Sequence, residues 1–180
     1  LQFISALSML RTYAYQVIGF SLRFVGENLG VFQKYPTPDQ EPPRNFGYSW
    51  DTKEQLEYLL KITTNALQDF AEFRKFKENN KYIQQARSLI FENTVNYDYF
   101  ISPTSITLTN ISIQGAILDF TIQQKIILTS SEITPMILNS GSILNPINNI
   151  SPIATNIRNT MELLIENIHH KYENTKKYGK

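Results

Sequence analysis

A chain of 180 residues with 42% hydrophobic and 12% aromatic side chains is long enough for one domain with a full core and too short for two comfortable ones. Its 17 basic and 16 acidic side chains leave a formal net charge of +1, so no global field steers it to nucleic acid or to an anionic membrane, and nucleic acid is not an expected partner. The absence of cysteine excludes disulfides, thiolate metal sites and cysteine nucleophiles together, and leaves the redox compartment open.

The chain starts at Leu1 rather than at methionine, which fits a processed or truncated chain. Leu1 to Leu29 reads as one helix, with Gln2, Ser5, Ser8, Thr12, Gln16, Gly19, Arg23 and Glu27 stepping by three or four as a narrow polar stripe. The rest of its circumference, including Leu7, Leu10, Tyr13, Val17, Ile18, Leu22, Phe24 and Val25, is apolar, more than an ordinary surface helix buries on one side. A spanning helix wants about 18 or more nearly uncharged residues, and Arg11 and Arg23 leave only Thr12 to Leu22 between them. The expectation is therefore a helix, residues 1–34, that is buried or packed on a partner, acting with the linker as an arm. Membrane contact through residues 1–32, in the plane of the interface or as the remnant of an anchor, is the alternative. Gly26 and Gly30 weaken and end the helix.

Residues 35–50 read as a proline-rich linker, because Pro36, Pro38, Pro42 and Pro43 impose extended geometry and deny a helix. The same prolines admit a reading as a ligand for an aromatic groove. Phe46, Tyr48 and Trp50 at every second position form an aromatic edge where the linker meets the body. An α+β domain is then expected over 51–180. Asp51 with Glu54 resembles a capping arrangement, and Leu56, Leu59, Leu60, Ala66, Leu67, Phe70 and Phe73 continue helically to about Lys77. Asn79 and Asn80 interrupt, and a third helix begins near Lys81 with Tyr82, Ile83, Ala86, Leu89 and Ile90 inward. The basic cluster Arg74, Lys75, Lys77 and Lys81 is broken by Glu72 and Glu78, which weakens any phosphate-binding reading.

Val95, Tyr97, Tyr99 and Ile101 alternate with polar residues and Phe100, a strand stopped by Pro103. Ile106 and Leu108 sit on one phase and Ile111 and Ile113 on the other, so a bulge near Thr109 and Asn110 would keep all four on one face. Gln114 and Gly115 read as a turn into a long strand from Ala116 to Thr129, in which Ala116, Leu118, Phe120, Ile122, Ile126 and Leu128 alternate with Asp119, Thr121, Gln123 and Lys125. The even set is expected in the core and the odd set outside. Ser130 to Ile150, punctuated by Pro135, Gly141 and Pro146, reads as an edge strand or an irregular loop. Ser151 and Pro152 signal a helix start, followed by the stripe Ile153, Ile157, Met161, Leu164, Ile165, Ile168 and Tyr172. The expected fold class is α+β: an antiparallel meander of three or four strands packed on helices, with the long N-terminal helix as an arm and an amphipathic C-terminal helix.

Chemistry-bearing patterns are sparse. His169 and His170 are neighbours on one helix and point about 100° apart, and the Glu166/His169 pair lacks the second such pair that a di-iron carboxylate site needs. No glycine-rich phosphate loop, nucleophile elbow or zinc-protease motif occurs. Asp98 and Asp119 would form an acid and base only if a sheet joined them. Asn110-Ile111-Ser112 and Asn149-Ile150-Ser151 match the glycosylation acceptor pattern. No catalytic residue, cofactor or metal is expected.

Between Tyr99 and Ile157 the charged residues are Asp119, Lys125 and Glu132 alone, whereas about a quarter to a third of a solvated surface is charged. An Asn and Ile bias from an AT-rich genome would produce the same scarcity without a functional cause. The expected role is a non-enzymatic structural or interaction subunit that binds protein partners or its own copies. A virion or baseplate-like particle, or a cell-envelope secretion complex, would suit it better than a free cytoplasmic location. The contact candidates are Leu10, Val17, Phe24, Phe46, Tyr48, Trp50, Thr121, Gln123 and Ile127. The alternative is a domain that binds a small apolar ligand in a pocket lined by Trp50, Tyr97, Tyr99 and Phe120.

Overall fold

Three helices of this chain start behind a side chain that caps them. Asp51 accepts from the Lys53 N–H at 2.9 Å, Asn80 accepts from the N–H groups of Tyr82 and Ile83, and Ser112 accepts from the Gly115 N–H, each satisfying donors that a helix N-terminus leaves free. A computed structural model describes residues 2–34 and 51–179. Its elements are α1 (Gln2–Asn28), α2 (Thr52–Arg74), α3 (Lys81–Arg87) running into a π-helical turn (Ser88–Glu92), β1 (Thr94–Ser102), β2 (Ser105–Ser112), α4 (Ile113–Thr129), a 3-10 turn (Pro135–Asn139) and α5 (Gly141–Tyr178). The linker expected at 35–50, with Phe46, Tyr48 and Trp50, lies outside the described residues.

The end of α1 needs its glycine. Gly30 has φ of +74°, its N–H donates to the Glu27 carbonyl, and the Val31 N–H donates to the Gly26 carbonyl, the two bonds of a Schellman cap. The Phe32 ring lies over Gly26 where a Cβ would stand. α1 is not an arm. Leu7, Leu10 and Ala14 enter one core cluster with Ala66, Phe70 and Phe73 of α2, Tyr97 of β1, Ile117 and Phe120 of α4, and Ile153 and Ile157 of α5. Val17 packs with Leu56, Leu59 and Leu60, and Val25 with Ile127 and Ile143. The wide apolar surface is thus explained inside the chain, because α2, α4 and α5 cover it. Glu27, from its polar stripe, is buried at the start of α2, where its carboxylate accepts from the Thr52 hydroxyl at 2.8 Å and pairs with Arg23 at 3.2 Å, a favourable place for negative charge.

The sheet is smaller than expected. Among the described residues β1 and β2 form a two-stranded antiparallel hairpin, not a meander of three or four strands. Its register irregularity falls between Phe100 and Ser102 of β1, whereas β2 is regular through Thr109 and Asn110. Ile106 and Leu108 therefore stay on the face opposite Ile111, exposed, and Ile113 has already left the sheet.

The segment expected as a long strand, Ala116 to Thr129, is helix. Its buried residues are Ile113, Ala116, Ile117, Phe120, Thr121, Gln123, Gln124 and Ile127, a stripe of steps of three and four that only a helix can present to one side. β-branched residues favour a strand intrinsically, but burial of Ile113, Ile117, Phe120 and Ile127 contributes about 1.5–3 kcal/mol per large side chain. The helix also pairs its own backbone, where a strand would require neighbours. α5 likewise begins ten residues before the expected Ser151, at Gly141. Ser142, Ile143, Asn145, Pro146, Asn149 and Ile150 are buried in helical spacing and run on into Ile153, Ala154 and Ile157. Pro146 and Pro152 each remove one helical hydrogen bond, and the continuous buried stripe outweighs that loss.

Candidate interaction face

One edge of β1 is held by asparagines of α5. The Asp98 N–H donates to Asn149 Oδ1 at 2.9 Å, Asn149 Nδ2 donates back to the Asp98 carbonyl at 2.9 Å, and the Phe100 N–H donates to Asn145 Oδ1 at 2.7 Å. Four helix residues advance about 6.0 Å and two strand residues about 6.6 Å, so residues 145 and 149 meet 100 and 98 in step, and the carboxamides act as a third strand. Close approach is needed: a Cβ on Gly141 would stand 2.6 Å from the Phe100 carbonyl oxygen. The Asn149 acceptor motif is therefore consumed internally, whereas Asn110 stands exposed on β2.

The inward face of β1 carries a second polar seam. The Tyr97 hydroxyl donates to Asp119 Oδ2, Gln123 Nε2 donates to Asp119 Oδ1 at 3.2 Å, and the Ser142 hydroxyl donates to Gln123 Oε1 at 3.0 Å. Asp119 is thus tied to Tyr97. Asp98, the next residue on the strand, projects to the other face, so the two aspartates form no acid and base pair. Burial first, and the Asp119 carboxylate second, push the Tyr97 hydroxyl far above its ordinary value of 10.0. In the unfolded chain Tyr97 ionises near pH 10, while the folded chain keeps its proton. The stability this contributes is complete below pH 10 and is lost as pH rises further, by about 1.4 kcal/mol per pH unit. Urea titrations from pH 9 to 11.5 should show this slope, and Tyr97→Phe should flatten it by close to that amount.

The outward side of α4 is apolar. Leu118, Ile122 and Ile126, spaced by four, are 50%, 47% and 48% exposed, although the alternation placed all three in the core. Nearby stand Ile101 of β1 and Met136 of the 3-10 turn. They line, with Ile126, Pro103 and Ile137, an open groove of about 540 Å³. On the outer face of β2, Leu108 is 79% exposed. These residues fall in the charge-poor half of the chain, with Lys125 and Glu132 as its charges on this side.

Most contact candidates from the sequence lie inside. Leu10, Val17, Thr121, Gln123 and Ile127 are buried, Phe24 is half-buried against the Val17 and Val25 clusters, and Phe46, Tyr48 and Trp50 are outside the described residues. The structure gathers none of the described ones into a surface. Of the ligand-pocket candidates, Tyr97 and Phe120 are buried with ring centroids 6.4 Å apart, and Tyr99 is exposed. The void beside Phe120 measures about 10 Å³, room for about one water. Alternation of Leu118, Ile122 and Ile126 also satisfies a four-residue helical step, and that second reading was the signal for the exposed stripe. Glu166 and His169 are exposed on α5, His170 packs its ring on Tyr82, and no group of three metal-ligating side chains occurs among the described residues. No described helix is long and apolar enough to cross a membrane. Comparisons with protein-family models, with characterised proteins and with solved structures return no match.

Proposed function

We propose that this chain is a non-enzymatic subunit of a larger protein assembly, held to its neighbours through the hairpin and the outward stripe of α4. The observation that carries this reading is the exposure of Leu118, Ile122 and Ile126 along α4, with Ile101 and Met136 beside Ile126 in the groove, in the half of the chain with the fewest charges. Large contiguous apolar surface on a protein marks an interaction site, and depletion of charge marks the centre of an interface. A particle or a cell-envelope complex, in which this face is permanently covered, suits such a surface. Membrane contact through α1 is not part of the proposal, since that helix spends its apolar side on α2, α4 and α5.

The test is native size. Extracted gently from its source, the chain should run in a species several-fold heavier than a monomer. Leu118→Lys combined with Ile122→Lys should release it from that species, folded and with unchanged helical circular dichroism, because both positions are half exposed and charge there costs little stability. A chain that runs as a free monomer in the extract overturns the reading.

A further inference from the structure

We infer that β2 is the self-pairing edge of this protein, joining two copies through their hairpins into one four-stranded antiparallel sheet; this rests on the interaction reading above and names its partner as a second copy. The argument starts from the ladder. Asp98 and Phe100 turn their backbone groups away from β2, toward Asn149 and Asn145 of α5. Their partners across the hairpin are Leu108 and Ile106, and Asn96 faces Asn110. In an antiparallel pair, opposed residues either both bond inward or both turn outward. Ile106, Leu108 and Asn110 therefore present their N–H and C=O groups on the outer edge of β2, and all three residues are exposed. No backbone partner for them occurs among the described residues beyond the hairpin.

This edge lacks the features that keep edges single. Ser105–Ser112 contains no charged residue and no proline, and the register irregularity lies in β1, whereas protected edges carry lysine, proline, bulges or a cover. The other edge of the hairpin does have a cover, α5. An uncharged strand also suits a two-fold axis, where residue i of one copy faces residue j of the other and j faces i, so that no register opposes like charges. Centred on Leu108, the pairing sets Leu108 against Leu108 and Ile106 against Asn110. About six backbone hydrogen bonds form, two for each of three opposed pairs. Asp98, the one charge of the hairpin, lies three strand spacings, about 14 Å, from its copy, beyond the screening length of about 8–10 Å. The exposed Leu108 side chains, with Ile106, meet across the axis on the outer face.

The absence of cysteine makes the register testable. Bonded pairs in an antiparallel ladder place Cα atoms about 5.5 Å apart, within disulfide reach. Leu108→Cys in the full chain should form a disulfide-linked homodimer under mild oxidation. Ile106→Cys and Asn110→Cys should each fail alone and succeed when mixed. Leu108→Pro removes an outward N–H that the hairpin does not use, a substitution edge strands tolerate, and should weaken self-association roughly tenfold or more. Leu108→Lys is the second variant should the proline disturb folding, and it should weaken association likewise. No cross-link at Leu108→Cys, with wild-type self-association surviving both Leu108→Pro and Leu108→Lys, overturns the inference. If that association still falls to Leu118→Lys with Ile122→Lys, the assembly reading stands without it. A purified chain that stays monomeric while the native species remains heavy, or a cross-link from Leu108→Cys to a different protein alone, also overturns self-pairing and leaves the assembly reading in place.

Discussion

Asn149→Leu should lower stability by about 2–4 kcal/mol, a large effect for one neutral side chain of similar volume. The carboxamide holds both backbone groups of Asp98 and also donates to the Asn145 carbonyl at 2.8 Å. Leucine fills the space but leaves a donor and an acceptor of β1 facing an apolar group with little access to water. Asn145→Leu should cost less, because among the described residues its side chain serves the Phe100 N–H alone, and its own Nδ2 is a buried nitrogen without an acceptor. Urea midpoints measure the total. Hydrogen exchange locates it: in Asn149→Leu the Asp98 amide should lose protection far more than the Phe100 amide. A cost under 1 kcal/mol, or equal loss at both amides, would contradict the third-strand role of the asparagines.

The second large effect separates two adjacent residues. Ile117 is fully buried, while Leu118 is 50% exposed. Ile117→Ala should cost about 2–5 kcal/mol, the usual range for a core truncation, and Leu118→Ala less than about 1 kcal/mol. A strand with Leu118 and Phe120 inward and Ile117 outward requires the opposite order, so thermal or urea unfolding of the pair distinguishes the conformations directly. Comparable losses at both positions would contradict the helical face.

Much of the helical framework was legible in the chain. The stripe of α1, the cap at Asp51, the helix start near Lys81 and the strand ended by Pro103 follow from local rules, since propensity, periodicity and turn chemistry agree there. At α4 the rules conflict: Ile117, Thr121, Ile122, Ile126 and Ile127 are β-branched, while the spacing of Ile113, Ala116, Ile117 and Phe120 is helical. At residues 141–150, proline and asparagine read as loop because their roles are non-local; Asn149 is useful only where β1 lies beside it. The candidate face suffered most. A residue's apolarity does not say whether its own chain covers it, and Leu10, Val17 and Ile127 are covered while Leu118 and Leu108 are not.

By itself the sequence determined the presence and starting points of the helices before residue 93, the presence of a strand near Tyr97, and the scarcity of charge between Tyr99 and Ile157, because each depends on residues close together in the chain. Tertiary structure alone decided that α1 belongs to the core, that Ala116 to Thr129 is helix, and that Leu118, Ile122, Ile126 and Leu108 face outward. Those outcomes depend on which distant surfaces meet: a helix stripe is buried only when α2 and α5 lie against it, and an edge is closed only when a helix carrying Asn145 and Asn149 runs alongside.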